Sequence, residues 1–233
     1  EADLLDVDVR GTQSVVNAAL EAGGDRFFYI SHLGADRASA YPIFKAKAIA
    51  EEYIRSSGLD HTIIRAAILF GQNDGFTTSL SQLLYSIPFF FPVPAEGDTM
   101  VQPLWVEDLV TCMAWALDDN VTRNQTYELG GPEFLSMAEI ITTMKTAFNL
   151  KRSIVSFSPP YLRLLTVFLE YLLPASPVSV YWLDYLATNR TCALDTIPRV
   201  FNLMPARFSH RLDYLQGPNW RMEFLRTAFR RRR

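Results

Sequence analysis

Helix and strand signals alternate over residues 11–148 of this 233-residue chain, and few folds accommodate that rhythm. Gly11–Ala22 has helical apolar spacing and is stopped by Gly23-Gly24. Arg26–Ile30 (RFFYI) is a compact apolar run of the kind a buried parallel strand shows. Pro42–Ser57 reads as a second helix, with proline suited to its first turn and Gly58 to its C-terminal cap. His61–Phe70 reads as another buried strand. Phe76–Ser86 is expected to be helical, as is Val106–Leu117, which carries acids at its start where the macrodipole favours them. Thr126–Leu129 reads as a strand, and Ser136 with Glu139 forms a capping box for a helix over Met137–Phe148. Strand and helix in this order imply crossover connections, a parallel sheet and helices on both faces. Ligands of such sheets bind at the carboxyl ends of the strands, which directs attention to the residues after Ile30 and near Phe70.

Three side chains there carry candidate chemistry. Ser31 follows the strand RFFYI, and Tyr41 and Lys45 form Tyr-x-x-x-Lys at the start of the next helix. Positions i and i+4 share a helix face. A phenol beside an ammonium can act as a general acid/base, because the positive charge favours the phenolate. The Ser31 hydroxyl would hold a substrate carbonyl within its reach.

The runs Phe28–Ala35 (FYISHLGA), Ser39–Glu52 (SAYPIFKAKAIAEE) and Ser57–Gly71 (SGLDHTIIRAAILFG) together resemble the short-chain dehydrogenase/reductase superfamily. The resemblance is greatest to its atypical, epimerase/dehydratase-like branch around the NAD(P)H-binding accessory subunit of respiratory complex I. Asp8–Ala19 (DVRGTQSVVNAA) is similar to that superfamily's Asn-x-x-Gly-Thr helix, and Gln102–Asp108 and Tyr127–Pro132 add support. The resemblance implies an α/β, Rossmann-like doubly wound sheet and an NADP or NAD cofactor. It implies cofactor contacts at Ser31, His32, Lys47, Ala66 and Ile68, and catalysis by Ser31, Tyr41 and Lys45. An oxidoreductase or an epimerase/dehydratase acting on a small molecule is one expectation. A non-catalytic NADP(H)-binding accessory or scaffold subunit is the other.

The same resemblance exposes two departures. The glycine-rich Gly-x-x-Gly-x-x-Gly turn that cradles the pyrophosphate at a helix N-terminus is not present in the chain. Glu1–Val9 does not look like a natural start, so the Rossmann sheet is expected to be truncated ahead of Glu1 by about two βαβ units of some 30 residues each. In the relatives the active-site lysine lies four residues before a glutamate, which selects Lys47 with Glu51. The position four before Lys47, however, is Ile43, which has no hydroxyl. Tyr41 and Lys45 restore the pattern only by shifting two residues, about 200° around a helix, and Tyr41 precedes Pro42, which biases it away from helical backbone. Either Tyr41 and Lys45 act as a displaced pair, or Lys47 contacts the cofactor with no catalytic tyrosine, or Tyr41 only packs and both lysines are solvated. Arg65-Ala66 stands where the relatives carry Arg-Pro, near the place of the nicotinamide ring.

Past residue 150 prolines at 159, 160, 174, 177, 198 and 205 punctuate helical, aromatic-rich segments. We expect residues 1–150 to be the Rossmann part and 151–233 a helical C-terminal lobe with a basic tail, Arg226–Arg233. Tyr161–Leu173 is nearly apolar all round, either as a buried lobe helix or as a helix seated on a membrane or a partner subunit. A net charge of −3 argues against nucleic acid as a partner. Three histidines and two cysteines without a Cys-x-x-Cys pair suggest no metal site and two free thiols. No signal peptide and no run of about 18 apolar residues is visible. A cytoplasmic or membrane-peripheral location is expected.

Overall fold

The computed structural model describes residues 6–94, 97–172 and 179–228. In chain order the elements are α1 (Gly11–Glu21), β1 (Arg26–His32), α2 (Pro42–Ser56), β2 (Asp60–Ala66), β3 (Leu69–Phe70), α3 (Gly75–Ser86), β4 (Phe90–Pro94), β5 (Met100–Val101), β6 (Leu104–Trp105), α4 (Val106–Asp118), β7 (Gln125–Leu129), β8 (Leu135–Ser136), α5 (Met137–Ala147), β9 (Ser153–Phe157), α6 (Pro159–Leu172), α7 (Val180–Tyr185), α8 (Thr196–Phe201) and α9 (Trp220–Ala228). The chain is α/β with parallel strand pairing. It divides into two compact units, each drawing on segments from either side of residue 150. The first takes Glu1–Ala67, Glu107–Gly130 and Cys192–Pro205; the second takes Ile68–Val106, Gly131–Thr191 and Ala206–Arg233.

The first unit is built on a parallel sheet of order β1-β2-β7. A wide π-helical turn, Asp6–Arg10, leads into α1. That helix ends in a Schellman arrangement: Gly23 has φ +71° and donates its N–H to the Leu20 carbonyl, while Gly24 donates to the Ala19 carbonyl. Pro42 begins α2 and Gly58, at φ +85°, follows its end. The apolar stripe of α2 meets α1 and the sheet through Val16, Ile54, Leu59 and Ile63, with Phe27 and Tyr29 of β1 packed against them. Arg26, at the start of β1, donates to the Ala116 and Leu117 carbonyls and so ties down the C-terminal turn of α4. Phe201 of α8 meets the Tyr127 ring of β7 edge-on.

The run His61–Phe70, expected as one strand, is divided. The Ala67 N–H bonds the Leu129 carbonyl beside β7, whereas the Ile68 carbonyl accepts from Leu104, and β3 then pairs with β6. The backbone changes partner within two residues, so the second piece belongs to the second unit.

That unit holds the parallel pairs β3-β6 and β4-β9 and the antiparallel pair β5-β8. The strand β9 lies in the stretch expected to be only helical, and its partner β4 carries Pro92 and Pro94. The capping box on α5 forms as the sequence predicts: the Ser136 Oγ accepts from the Glu139 N–H at 3.2 Å and the Glu139 carboxylate accepts from the Ser136 N–H at 2.8 Å. A Ser136→Ala substitution is expected to lower stability by about 1 kcal/mol, read as a lower urea midpoint at constant slope. An unchanged midpoint would show that water replaces the cap at no cost.

On α6 only Leu162 and Thr166 are buried, while Tyr161, Leu164, Phe168 and Tyr171 are exposed. Among the described residues no helix is long and apolar enough to cross a membrane.

Candidate functional site

Side chains alternate along a strand, so Tyr29 and Ser31 of β1 project to the same side, the side on which α1 and α2 pack. Directly across from Ser31 in the parallel register stands Arg65 of β2. Over these strands α2 presents Lys47 and, one turn later, Glu51. Two connected polar groups result.

The first is built around Lys47. Its ammonium lies 2.7 Å from Asp8 Oδ1 in the π-helical turn and donates to Tyr29 Oη at 3.4 Å, with Nζ 5.2 Å from the centre of the Tyr29 ring. Burial works to lower the Lys47 pKa, but the hydrogen bond to Asp8, the neighbouring Tyr29 phenol and the Asp8 charge outweigh it, and the net direction is upward. Lys47 is therefore a fixed cation. An ammonium has three donors, and two of its directions are taken.

The second group is built around Glu51, whose side chain is fully buried. Arg65 grips it in a bidentate fork, Nε to Oε1 at 3.0 Å and Nη2 to Oε2 at 2.8 Å. Arg55, one turn along α2, donates to Oε2 at 2.7 Å, and Arg65 also reaches Glu128 of β7 at 3.3 Å. Burial raises the Glu51 pKa, but the Arg65 fork, the facing Ser31 hydroxyl and the Arg55 guanidinium more than offset it and hold the carboxyl below its ordinary value. Ser31 Oγ itself is buried. It faces that carboxylate closely enough to act on it electrostatically, yet makes no hydrogen bond of good geometry among the described residues.

The other residues singled out from sequence fall into different surroundings. Tyr41 is the N-cap of α2 in extended backbone (φ −96°, ψ 121°), and its ring meets Phe44 edge-on at 6.5 Å. Lys45 is exposed, and no hydrogen bond joins its side chain to the Tyr41 phenol. Because Tyr41 precedes the helix, the i to i+4 relation does not carry its side chain onto the Lys45 face. Ile43, four before Lys47, is buried in the core side of α2. His32 ends β1, half-buried, with its ring edge-on to Phe44 at 6.4 Å. Ala66 closes β2 opposite His32 and is buried. Ile68 is buried in the second unit. The structure thus groups Ser31, Lys47 and Glu51 on one side of β1 and α2 and leaves Tyr41 and Lys45 outside that group.

Tyr29, Asp8 and Arg65 are partners that sequence reasoning had not assigned to the site. The alternation along RFFYI already put Tyr29 on the Ser31 side. Asp8 stands where the Asn-x-x-Gly-Thr pattern has asparagine. A nucleotide ribose offers hydroxyls that a lysine ammonium and a serine hydroxyl can bind. Ser31 Oγ, at the carboxyl end of a parallel strand, is buried and faces the Glu51 carboxylate. The thiols are not candidates. Cys112 and Cys192 are thiols outside any disulfide, and burial, reinforced by Asp108 and Glu128 respectively, pushes the pKa of each up to about 12.

Residues 2–83 match a protein-family model described as NAD(P)H-binding. Among curated proteins, the chain is 34% identical over 128 residues to the Arabidopsis thaliana mitochondrial NADH dehydrogenase [ubiquinone] 1 alpha subcomplex subunit 9, a stretch covering 54% of this chain and 32% of that protein. The rat protein of the same name is 30% identical over 133 residues, 56% of this chain and 34% of the relative. The chain therefore spans about a third of the length of the curated relatives it matches. Among solved structures, an NADPH-dependent quinone oxidoreductase from Escherichia coli complexed with NADPH superposes with a TM-score of 0.72 at 17% identity, over 88% of this chain and 71% of the other. A Citrobacter triphenylmethane reductase complexed with NADP(H) gives 0.71 at 16% identity, over 91% and 72%.

Proposed function

We propose that this chain is a member of the short-chain dehydrogenase/reductase superfamily, forms the ribose- and nicotinamide-facing part of an NADP(H) or NAD(H) site and holds the cofactor without the superfamily's usual acid/base tyrosine. The observation that carries the reading is the position of Lys47. It stands on α2 four residues before Glu51, tethered by Asp8 beside the strand that carries Ser31. The place one turn ahead of it is taken by buried Ile43. An alkyl side chain there can neither give nor take a proton.

In this reading the Lys47 ammonium and the Ser31 hydroxyl bind the nucleotide, and Glu51 with Arg65 fixes the pitch of α2 over β1. When bound, the nicotinamide supplies hydride chemistry. Names of relatives as subunits of NADH dehydrogenase [ubiquinone] favour an accessory role within a larger assembly. The exposed apolar side of α6 supports a peripheral membrane or subunit contact.

A second reading, an oxidoreductase or epimerase/dehydratase, is favoured by one contact. The Tyr29 phenol accepts from Lys47 and shares a strand face with Ser31, so a tyrosine–lysine–serine set is assembled from β1 and α2 without Tyr41. Turnover of NADPH with quinones or aldehydes, abolished by Tyr29→Phe and retained by Tyr41→Phe, would establish it.

The deciding experiment is an NADH and NADPH fluorescence titration of the longest natural form of the protein beside this chain. A charge-assisted hydrogen bond contributes about 1.5–3 kcal/mol, so Lys47→Ala is expected to weaken binding about tenfold or more, and Lys45→Ala about twofold at most. Equal or reversed effects would mean that the lysine register is wrong. No binding by any form would overturn the cofactor reading.

A further inference from the structure

In the second unit α9 packs along α3, and a cleft of about 440 Å³, open to solvent, lies between them. Thr78 and Gln82, four residues apart, share the face of α3 that lines it, and Glu223 and Thr227 stand in the same relation on α9. The loop residues Gln72 and Asn73 complete the polar lining. The walls are tied in place. Arg221 Nε of α9 donates to the Tyr85 carbonyl of α3 at 2.8 Å. Tyr214 Oη donates to Asp74 Oδ2 at 3.1 Å, and the Trp220 indole N–H donates to the Leu215 carbonyl at 2.9 Å. The two aromatic residues that line the cleft thus have their polar atoms already engaged.

Gln82 does not. It is only 5% exposed, yet its carboxamide makes no hydrogen bond among the described residues. Nor is that group sealed inside the protein, as the Ser86 hydroxyl one turn further along α3 is. Its oxygen and nitrogen keep accessible surface, and Gln82 borders the cleft. Buried side-chain polar groups are normally paired, and one without a partner costs free energy that a ligand bonding to it recovers.

The lining selects the chemistry of that ligand. The carboxamides of Gln72, Asn73 and Gln82 each donate and accept, and so do the hydroxyls of Thr78 and Thr227. Alcohol groups have the same double character. Among the lining residues Glu223 alone is charged, and Arg226 already donates to one of its oxygens at 2.8 Å. A phosphate or carboxylate would meet a like charge there and no lining cation to pair with. A hydrocarbon would strand the Gln82 carboxamide. We propose that the cleft binds a small, neutral, polyhydroxylated molecule of monosaccharide size, with adjacent hydroxyls meeting both ends of the Gln82 carboxamide. The site lies wholly in the second unit and does not rest on the reading of Lys47.

The test titrates the intact chain with D-glucose, myo-inositol and glucuronate, followed by NMR at the Gln82 side-chain amide and the Trp220 indole N–H. At least one of the two neutral polyols is expected to shift the Gln82 signals with millimolar affinity, and glucuronate to bind about threefold more weakly or worse. Gln82→Leu nearly keeps the size and removes the carboxamide. It should weaken polyol binding about tenfold, the loss of two neutral hydrogen bonds, without lowering the thermal midpoint, since no bond of Gln82 holds the fold. Thr78→Val, at a half-buried place on the same face, should weaken it about fivefold and gives an independent reading. Binding of neither polyol would overturn the proposal. Glucuronate binding as tight as that of the polyols would do the same, as would a Gln82→Leu variant that binds like the wild type. Early unfolding of Gln82→Leu together with unchanged binding in Thr78→Val would make Gln82 a structural group and equally overturn it.

Discussion

Gly131→Ala is expected to destabilise the chain by about 3–5 kcal/mol, enough to remove most soluble folded protein at 37 °C. The cause is close approach. A Cβ built on Gly131 would sit 1.9 Å from the Pro103 carbonyl oxygen and 2.9 Å from its carbon. Both are backbone atoms, so no rotamer change relieves the clash. The two segments are also bonded to each other: the Gly131 N–H donates to the Gln102 carbonyl at 3.3 Å, and the buried Gln102 side-chain amide donates to the Gly131 carbonyl at 2.7 Å. Separating them to admit a methyl group breaks both bonds within the core, and each stranded group costs about 1–3 kcal/mol. Gly58→Ala is the control. Gly58 has φ +85° but nothing within 4 Å of its Cβ position, so only the left-handed backbone is penalised, at about 1–2 kcal/mol. Urea unfolding of the two variants separates the mechanisms. A Gly131 variant no worse than the Gly58 one would mean that the 131 segment yields easily.

The sequence makes some of this plain and conceals the rest, for physical reasons. The helices α2 and α5 are announced by local chemistry: Pro42 and Gly58 bracket one, and Ser136 with Glu139 starts the other. The strand RFFYI is visible because its apolar run has the look of a parallel strand, although β1 stands at the edge of the described sheet and Arg26–Ile30 are half-buried rather than buried. β4 is hidden because Pro92 and Pro94 cannot donate to a ladder, which marks a strand as non-central; among the described residues it pairs with β9 alone. Two-residue strands such as β3 and β6 carry no period at all. At the site, Lys47 and Ser31 are legible from spacing and from strand-end position. The hold of Asp8 on Lys47 joins residues 39 apart through tertiary packing, which no local pattern encodes. The Tyr41–Lys45 spacing matches a helix face in sequence, but Pro42 starts the helix one residue too late for Tyr41 to share it.

Glu51 is the residue through which stability and the candidate site are joined. Glu51→Ala should cost about 3 kcal/mol, because it leaves the Arg65 guanidinium, only 23% exposed at its side chain, without its bidentate partner in the interior. Glu51→Gln keeps the shape but loses the charge, and is expected to fall between Ala and wild type. The acid limb distinguishes this from simple packing. In the folded chain burial acts to raise the Glu51 pKa, but the Arg65 fork, the facing Ser31 hydroxyl and the Arg55 guanidinium hold it below its ordinary value of 4.5. A carboxyl with a depressed folded pKa binds fewer protons folded than unfolded, so its contribution is complete above 4.5 and is lost as pH falls through the lower, folded value. Wild-type stability should therefore decline in acid more steeply than that of Glu51→Gln, the two curves converging at low pH. Parallel curves would mean that Glu51 is not the group being titrated. Arg65 stands across from Ser31 in register and Glu51 lies one turn from Lys47, so loosening the fork shifts α2 over β1. Nucleotide affinity should then fall in Glu51→Gln even at neutral pH, where the fold survives, and by less than in Lys47→Ala, because Glu51 acts by holding α2 in place whereas Lys47 binds the ligand itself.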